Sequence, residues 1–287
     1  MPHECTGNRI MFEEPHPIPW VPCWTVDYWR DWCFNKLLMA MTKILEKEIQ
    51  VRAVDTDFQG KIRVDMFLNV LMEAASEHSA QMGVSVLELF KQNLTWVLSR
   101  WHIRILRYPE RWNTFHVNTW PSLRQGMFSL REFEVFDEKG PLAQATTSWL
   151  ALDLTSKRPV RMEQFLPDFE LESRRALQDD FEPLPKLDKP GLENEYPVFR
   201  SYLDVNRHVT STAYILWALE TTPENILLKL RPSEIEINYR AETFYGDRIL
   251  SRSQRLMESK RPTFLHTLLR AGDGKELAAL RTVWSDL

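Results

Sequence analysis

One order of hydrophobic patterns occurs twice in this chain, and that repeat constrains the fold more than any local motif. From Lys47 to Asp153 the pattern reads strand, loop, long helix, then several strands, and from about Val198 to Leu287 it returns. In the first copy Val64, Phe67, Leu68, Leu71, Met72 and Ala75 form a helical stripe, with Asp65, Asn69, Glu73 and Glu77 on other faces and Gly83 ending it. In the second, Thr210 or Ser211 supplies an N-cap and the helix runs through Tyr214, Trp217 and Ala218 toward Pro223. The spacing predicts helices near 64–82 and 211–221. Alternating strands follow each helix, at 101–117 and 233–250. Each copy then ends in a hairpin, with turns at Asp137 to Gly140 and Gly272 to Gly274 and a tryptophan in the closing strand.

One helix followed by antiparallel strands is an α+β unit. Its sheet is too wide for one helix to cover unless it wraps around that helix, which is the hotdog arrangement. The expected fold is therefore α+β, a tandem (double) hotdog, with the two sheets side by side. The expected divisions are an atypical extension at 1–40, an N-terminal hotdog at 41–155, a linker at 156–197 and a C-terminal hotdog at 198–287. The linker reading rests on Pro159, Pro167, Pro183, Pro185 and Pro190 among charges with little apolar period.

Composition removes several function classes. A formal charge of -4 disfavours a general nucleic-acid binder, and nine glycines with no GxGxxG or GxxxxGK[ST] disfavour a phosphate loop. No run of about 18 apolar residues marks a membrane span. The leading segment carries Glu4, Glu13, Glu14, Asp27 and Asp31 and lacks the apolar stretch of a secretory signal, so the default is cytoplasmic. All three cysteines, Cys5, Cys23 and Cys33, lie there too, leaving the body without a disulfide, thiolate metal site or cysteine nucleophile. Trp20, Trp24, Trp29 and Trp32 crowd the same stretch; it reads as a segment ahead of a start at Met41, with an aromatic docking arm as the other reading. No cofactor or metal is expected: Glu73, Glu77 and His78 lack a second nearby histidine. His78, His102, His116 and His266 read as packed or surface residues and Glu220 as an ion-pair partner. A homodimer of the whole chain is admitted by the fold.

The chemistry concentrates at 203–220. Asp204, Asn206 and His208 alternate at a loop-to-helix junction, beside the unpaired N–H groups and positive end of the second helix. A carboxylate, an amide and an imidazole there suit a hydrolytic site with donors for an oxyanion. The corresponding stretch of the first copy, 51–67, aligns Asp55 and Asp57 with Asp204 and Asn206, and puts Gln59 where His208 stands. Without an imidazole, that copy lacks a near-neutral acid/base.

DVNRHV followed by Tyr214 and Trp217, NTWP (118–121) and YRAE (239–242) make the chain, from about Lys47 to Leu287, resemble the acyl-ACP thioesterases of plants and bacteria. The resemblance implies hydrolysis of the thioester on acyl carrier protein, with its acyl-phosphopantetheine, to free fatty acid. It also implies an acyl chain held by the first half and catalytic groups at Asp204, Asn206, His208 and Glu242. Plant members often carry a cysteine after that glutamate; Thr243 stands there, which favours a carboxylate attacking the carbonyl or activating water. Arg100, Arg104, Arg107 and Arg111, with Lys61, Arg63, Arg124 and Arg131 around them, are the expected basic face for an acidic carrier. The competing readings are an acyl-CoA thioesterase of the same fold, a hotdog hydratase (disfavoured by a four-residue Asp-to-His spacing with Arg207 between) and a non-enzymatic acyl-binding module.

Overall fold

The computed structural model describes residues 43–167, 170–204 and 207–287, so the 1–40 segment and Asn206 lie outside the described residues. Residues from Met41 to Leu287 form one compact unit. Its elements begin with β1 (Leu45–Gln50), α1 (Val64–Gln81), α2 (Val86–Phe90), β2 (Leu94–Ile105), β3 (Thr114–Gln125), β4 (Phe128–Asp137) and β5 (Gly140–Asp153). After β6 (Pro159–Val160) and β7 (Leu192–Pro197) come α3 (Ser211–Leu219), α4 (Glu224–Leu227), β8 (Arg231–Tyr239), β9 (Arg248–Arg255), β10 (Thr263–Arg270) and β11 (Glu276–Ser285).

The strands make one antiparallel sheet in the order β1-β3-β4-β5-β2-β8-β11-β10-β9-β7, with β6 on β5. The two halves of that order match: β1, β3, β4, β5 and β2 on one side correspond to β7, β9, β10, β11 and β8 on the other. The halves join where β2 pairs β8, with Trp101 opposite Ile237, His102 opposite Glu236 and Ile103 opposite Ile235. A pseudo-twofold axis passes between His102 and Glu236, which is the side-by-side arrangement expected of two hotdogs.

The stripe on α1 buries Phe67, Leu68 and Leu71 against Phe115, Val117, Phe133 and Val135 of the sheet. Each such side chain is worth about 1.5–3 kcal/mol. α3 is buried nearly all round, from Thr212 to Leu219, because it touches both α1 and the second half of the sheet. α1 and α3 begin where the spacing predicts, at 64 and 211, and end one and two residues earlier.

The connection at 156–197 is more than a bare linker. It contributes β6 and a 3-10 turn at Met162–Gln164, and it ends in β7, the far edge strand of the second half. Between them, residues 174–181 form a strap over the sheet. Glu132, fully buried, accepts from Arg175 Nε at 2.7 Å, Ala176 N at 3.1 Å, Ser122 Oγ at 2.7 Å and Thr146 Oγ1 at 2.9 Å. Asp179 accepts from His102 Nδ1 at 2.6 Å.

Candidate active site

The two loops that precede the long helices have one backbone design. Asp204 N donates to His208 O at 2.8 Å and Arg207 N to Asp204 O at 3.0 Å; in the first half Asp57 N donates to Lys61 O at 2.9 Å and Gly60 N to Asp57 O at 3.0 Å. In each, the aspartate Oδ1 accepts the N–H of the residue four further on, His208 at 3.0 Å and Lys61 at 3.3 Å. Bridges close both loops, Leu203 with Val209 and Thr56 with Ile62.

This equivalence corrects the sequence alignment by two residues. Asp57 matches Asp204, Gln59 matches Asn206, Gly60 matches Arg207 and Lys61 matches His208; Asp55 lies before the loop. The sequence pattern matches polar identity, while the turn itself is set by hydrogen bonds. A lysine in place of the imidazole still leaves the first loop without a near-neutral acid/base.

The second loop meets the chain after β8. His208 bridges to Phe244, with their rings edge-on at 5.3 Å, and His208 Nδ1 lies 3.5 Å from Glu242 Oε1. Both side chains are partly open to solvent, at 38% and 51% exposure, so a substrate can reach them. Thr210 caps α3 without a side-chain hydrogen bond, so its hydroxyl does not occupy the helix's first N–H groups. Asp204 orders the loop, a role its counterpart Asp57 shares. The structure thus brings Asp204, His208 and Glu242 together.

Thr243 is fully buried, and its Oγ1 donates to Asp247 Oδ2 at 2.7 Å.

The first-half counterpart is filled. Arg231 Nη2 donates to Asp57 Oδ2 at 2.5 Å and Gln59 Oε1 at 2.8 Å, and its guanidinium lies over the Tyr108 ring at 5.1 Å. Tyr108 holds the position that Glu242 has in the second half. The sheet register puts Val97 at Arg231's place in β2, so no guanidinium is supplied to the His208 loop from there.

The comparisons with known proteins fall on these elements. The acyl-ACP thioesterase N-terminal domain family matches residues 42–168 and its C-terminal domain family residues 186–286. The chain belongs to the acyl-ACP thioesterase family. A palmitoyl-acyl carrier protein thioesterase of Cuphea hookeriana is 26% identical over 265 residues, covering 84% of this chain and 62% of that protein. An oleoyl-acyl carrier protein thioesterase of Arabidopsis thaliana is 25% identical, covering 83% of this chain and 75% of that protein. The chain thus spans about three fifths of the length of several plant relatives it matches. Among solved structures, an acyl-ACP thioesterase from Bacteroides thetaiotaomicron superposes with a TM-score of 0.75 at 23% identity, covering 85% of this chain and 98% of that one. A 12:0-ACP thioesterase from Umbellularia californica gives 0.74 at 22%, covering 86% and 98%. The likeness in structure fixes the fold as a double hotdog.

The four arginines expected to form one basic face differ in their surroundings. Arg104 pairs with Glu234 at 3.5 Å and Arg107 with Asp137 at 2.7 Å. Arg100 is half-buried, with Nη1 shut away from solvent and unpartnered. Arg111 is exposed and makes no ion pair among the described residues. Carboxylates thus partner two of the four arginines, Arg104 and Arg107.

Glu220 makes no ion pair among the described residues; it lines a cavity of about 370 Å³ beside the Asp57 loop. His78, His102 and His266 are buried, and burial pushes His266 down to about 3. His116 is partly buried and stacks on Phe136. His102, Glu234 and Glu236 are close enough to hold a cation, but both imidazole nitrogens already face carboxylates and Arg281 bridges the two glutamates. A second cavity, of about 200 Å³, lies at the C-terminal end of α1. Met72, Ala75, Met82, Val84, Trp96 and Trp149 line it, with Arg131 in its wall.

Proposed function

We propose that this chain hydrolyses the thioester of fatty acyl chains on acyl carrier protein, releasing free fatty acid, with the chemistry confined to the second half. The observation that carries this reading is the asymmetry of two loops of one design. One sets His208 3.5 Å from Glu242 beside an uncapped helix start, and the other has Lys61 and Tyr108 there and is filled by Arg231.

Hydrolysis adds water across the carbonyl carbon and sulfur, giving a carboxylic acid and a thiol. The attacking oxygen must lose a proton, which the His208 imidazole is suited to take, with Glu242 orienting the ring and stabilising its charged form. The departing thiolate, with a parent pKa of about 8.5, needs little acid assistance. The developing oxyanion is assigned to the amide of Asn206 and the first N–H groups of α3. Asp204 keeps the loop closed through the His208 N–H. No cysteine follows Cys33 in the sequence, so thiolate attack has no candidate in the body of the chain.

The acyl tail is assigned to the cavity at the end of α1, in the N-terminal hotdog at 41–155, and the catalytic half to 198–287. The carrier is the proposed partner. A cytoplasmic location remains the proposal from sequence; the plant relatives are named chloroplastic. Among the described residues no helix is long and apolar enough to cross a membrane.

The test is incubation with octanoyl- to stearoyl-acyl carrier proteins and the matching coenzyme A esters, with analysis of released acids. Turnover is expected on the carrier substrates at higher kcat/KM. Preference for coenzyme A esters would move the reading to an acyl-CoA thioesterase. Binding without release would make the chain a non-enzymatic acyl-binding module.

A further inference from the structure

Glu242 has a long, half-exposed side chain, and its position depends on the main chain beneath it. Three consecutive carbonyls there are held. Ala241 O accepts from Tyr214 Oη at 3.2 Å, Glu242 O from Arg270 Nη2 at 2.8 Å, and Thr243 O from Val209 N at 3.2 Å. Directly behind, Asp247 Oδ2 collects Thr243 Oγ1 at 2.7 Å, Phe244 N at 3.0 Å and Arg270 Nε at 3.2 Å. Arg270 is fixed in turn by Asp273, whose Oδ2 accepts from Nη1 at 2.9 Å.

The first half supplies an internal control. The same turn follows β2, with Asn113 N donating to Glu110 O at 3.0 Å as Asp247 N donates to Phe244 O at 3.1 Å, and with Trp112 and Gly246 both at positive φ. The register places Pro109 where Thr243 stands, Asn113 where Asp247 stands and Asp137 where Arg270 stands. All three members of the brace are absent from the copy whose loop lacks the imidazole. The turn is a requirement of the fold; the brace is not.

We propose that Thr243, Asp247 and Arg270 are positioning residues that hold Glu242 against His208. The inference rests on reading His208 and Glu242 as the reacting pair. It explains what the threonine that replaces the plant cysteine does, since its hydroxyl ties the glutamate-bearing segment after β8 to Asp247. Charge-assisted bonds to Asp247 are the strong kind, and losing the one from Thr243 Oγ1 loosens the main chain that carries Glu242.

The experiment uses the full chain and whichever acyl carrier protein thioester gives the highest wild-type turnover. Thr243→Val keeps the shape and removes the hydroxyl; Thr243→Ser keeps the hydroxyl; Asp247→Asn removes the charge. The expected result for Thr243→Val and Asp247→Asn is a fall in kcat of about 10- to 100-fold with KM within about threefold, the pattern of a misplaced reacting group. Thr243→Ser should restore kcat to within about twofold of wild type. In a Glu242→Gln background Thr243→Val should cost less than about a further twofold, since the group it positions is already lost. Near wild-type kcat in folded Thr243→Val, or losses that multiply in the Glu242→Gln background, would overturn the brace. Wild-type kcat in Glu242→Gln itself would instead remove the underlying assignment. Should Asp247→Asn fail to fold by circular dichroism, the threonine series decides alone.

Discussion

Arg207 lies at a φ of 62°, the left-handed corner that its counterpart Gly60 occupies at 75°. A side chain there costs roughly 1–2 kcal/mol, which glycine escapes. The second loop therefore keeps a strained residue immediately before His208 where the first has none, a pattern common at functional loops. The paired loops allow a matched test. His208→Ala should lower kcat by roughly 10²–10⁴, whereas Lys61→Ala should leave it within about threefold, both measured with the melting temperature unchanged by more than a few degrees. Equal losses at the two positions would mean that the loops share the chemistry. Iodoacetamide should leave turnover intact, since the cysteines all lie at or before residue 33; inactivation that substrate protects against would contradict carboxylate–imidazole chemistry.

The strap over the sheet makes a pH-dependent contribution to stability. Burial lowers the His102 pKa, but the hydrogen bonds it donates to Asp179 and Glu234 and the charge of Glu236 more than offset it and raise it to about 9. Glu234, despite its own burial, is brought to about 2 by His102 and the neighbouring arginines. A histidine whose folded pKa exceeds its ordinary value stabilises fully below about 6.5, and that contribution is lost as pH rises through about 9. The melting temperature should therefore fall between pH 6.5 and 9.5, and Asp179→Asn should both lower it at pH 6.5 and flatten that slope. An unchanged slope in the variant would separate the strap from the effect. His266, held neutral by burial, acts on the acid side instead, where the unfolded chain protonates and the folded one does not. None of this network was legible in the sequence, because His102 meets partners 77 and 132 residues away. Periodicity locates α1 and α3 because a buried helical face repeats locally. It misses β7 because an exposed edge strand, Leu192–Pro197, carries no alternation to read. The DVNRHV loop is legible as chemistry, but its partner loop aligns two residues off by sequence, since only the backbone bonds of Asp57 and Lys61 define the register.

At the scale of the whole molecule, one chain holds what two identical hotdogs would hold as a dimer, and each half is released to specialise. The second half keeps the imidazole and the braced glutamate. The first has its loop closed by Arg231, which reaches across from β8 of the second half, and keeps a cavity of about 200 Å³ against α1. If the acyl tail lies in that cavity, filling it should change which chain is cleaved and leave the chemical step alone. Ser76, on α1 and lining the cavity, is the place to test this because it is exposed to that space and not packed in the core. Ser76→Leu should shift released acids toward shorter chains when the enzyme is given a mixture of acyl carrier proteins. A single methylene in an apolar pocket is worth about 1–3 kcal/mol, so the ratio of long to short products should fall by roughly 10- to 200-fold. On the shortest substrate that wild type accepts, kcat should stay within about twofold. A uniform loss across chain lengths would place the tail elsewhere, because a group that only disturbs the fold does not discriminate between substrates that differ in length.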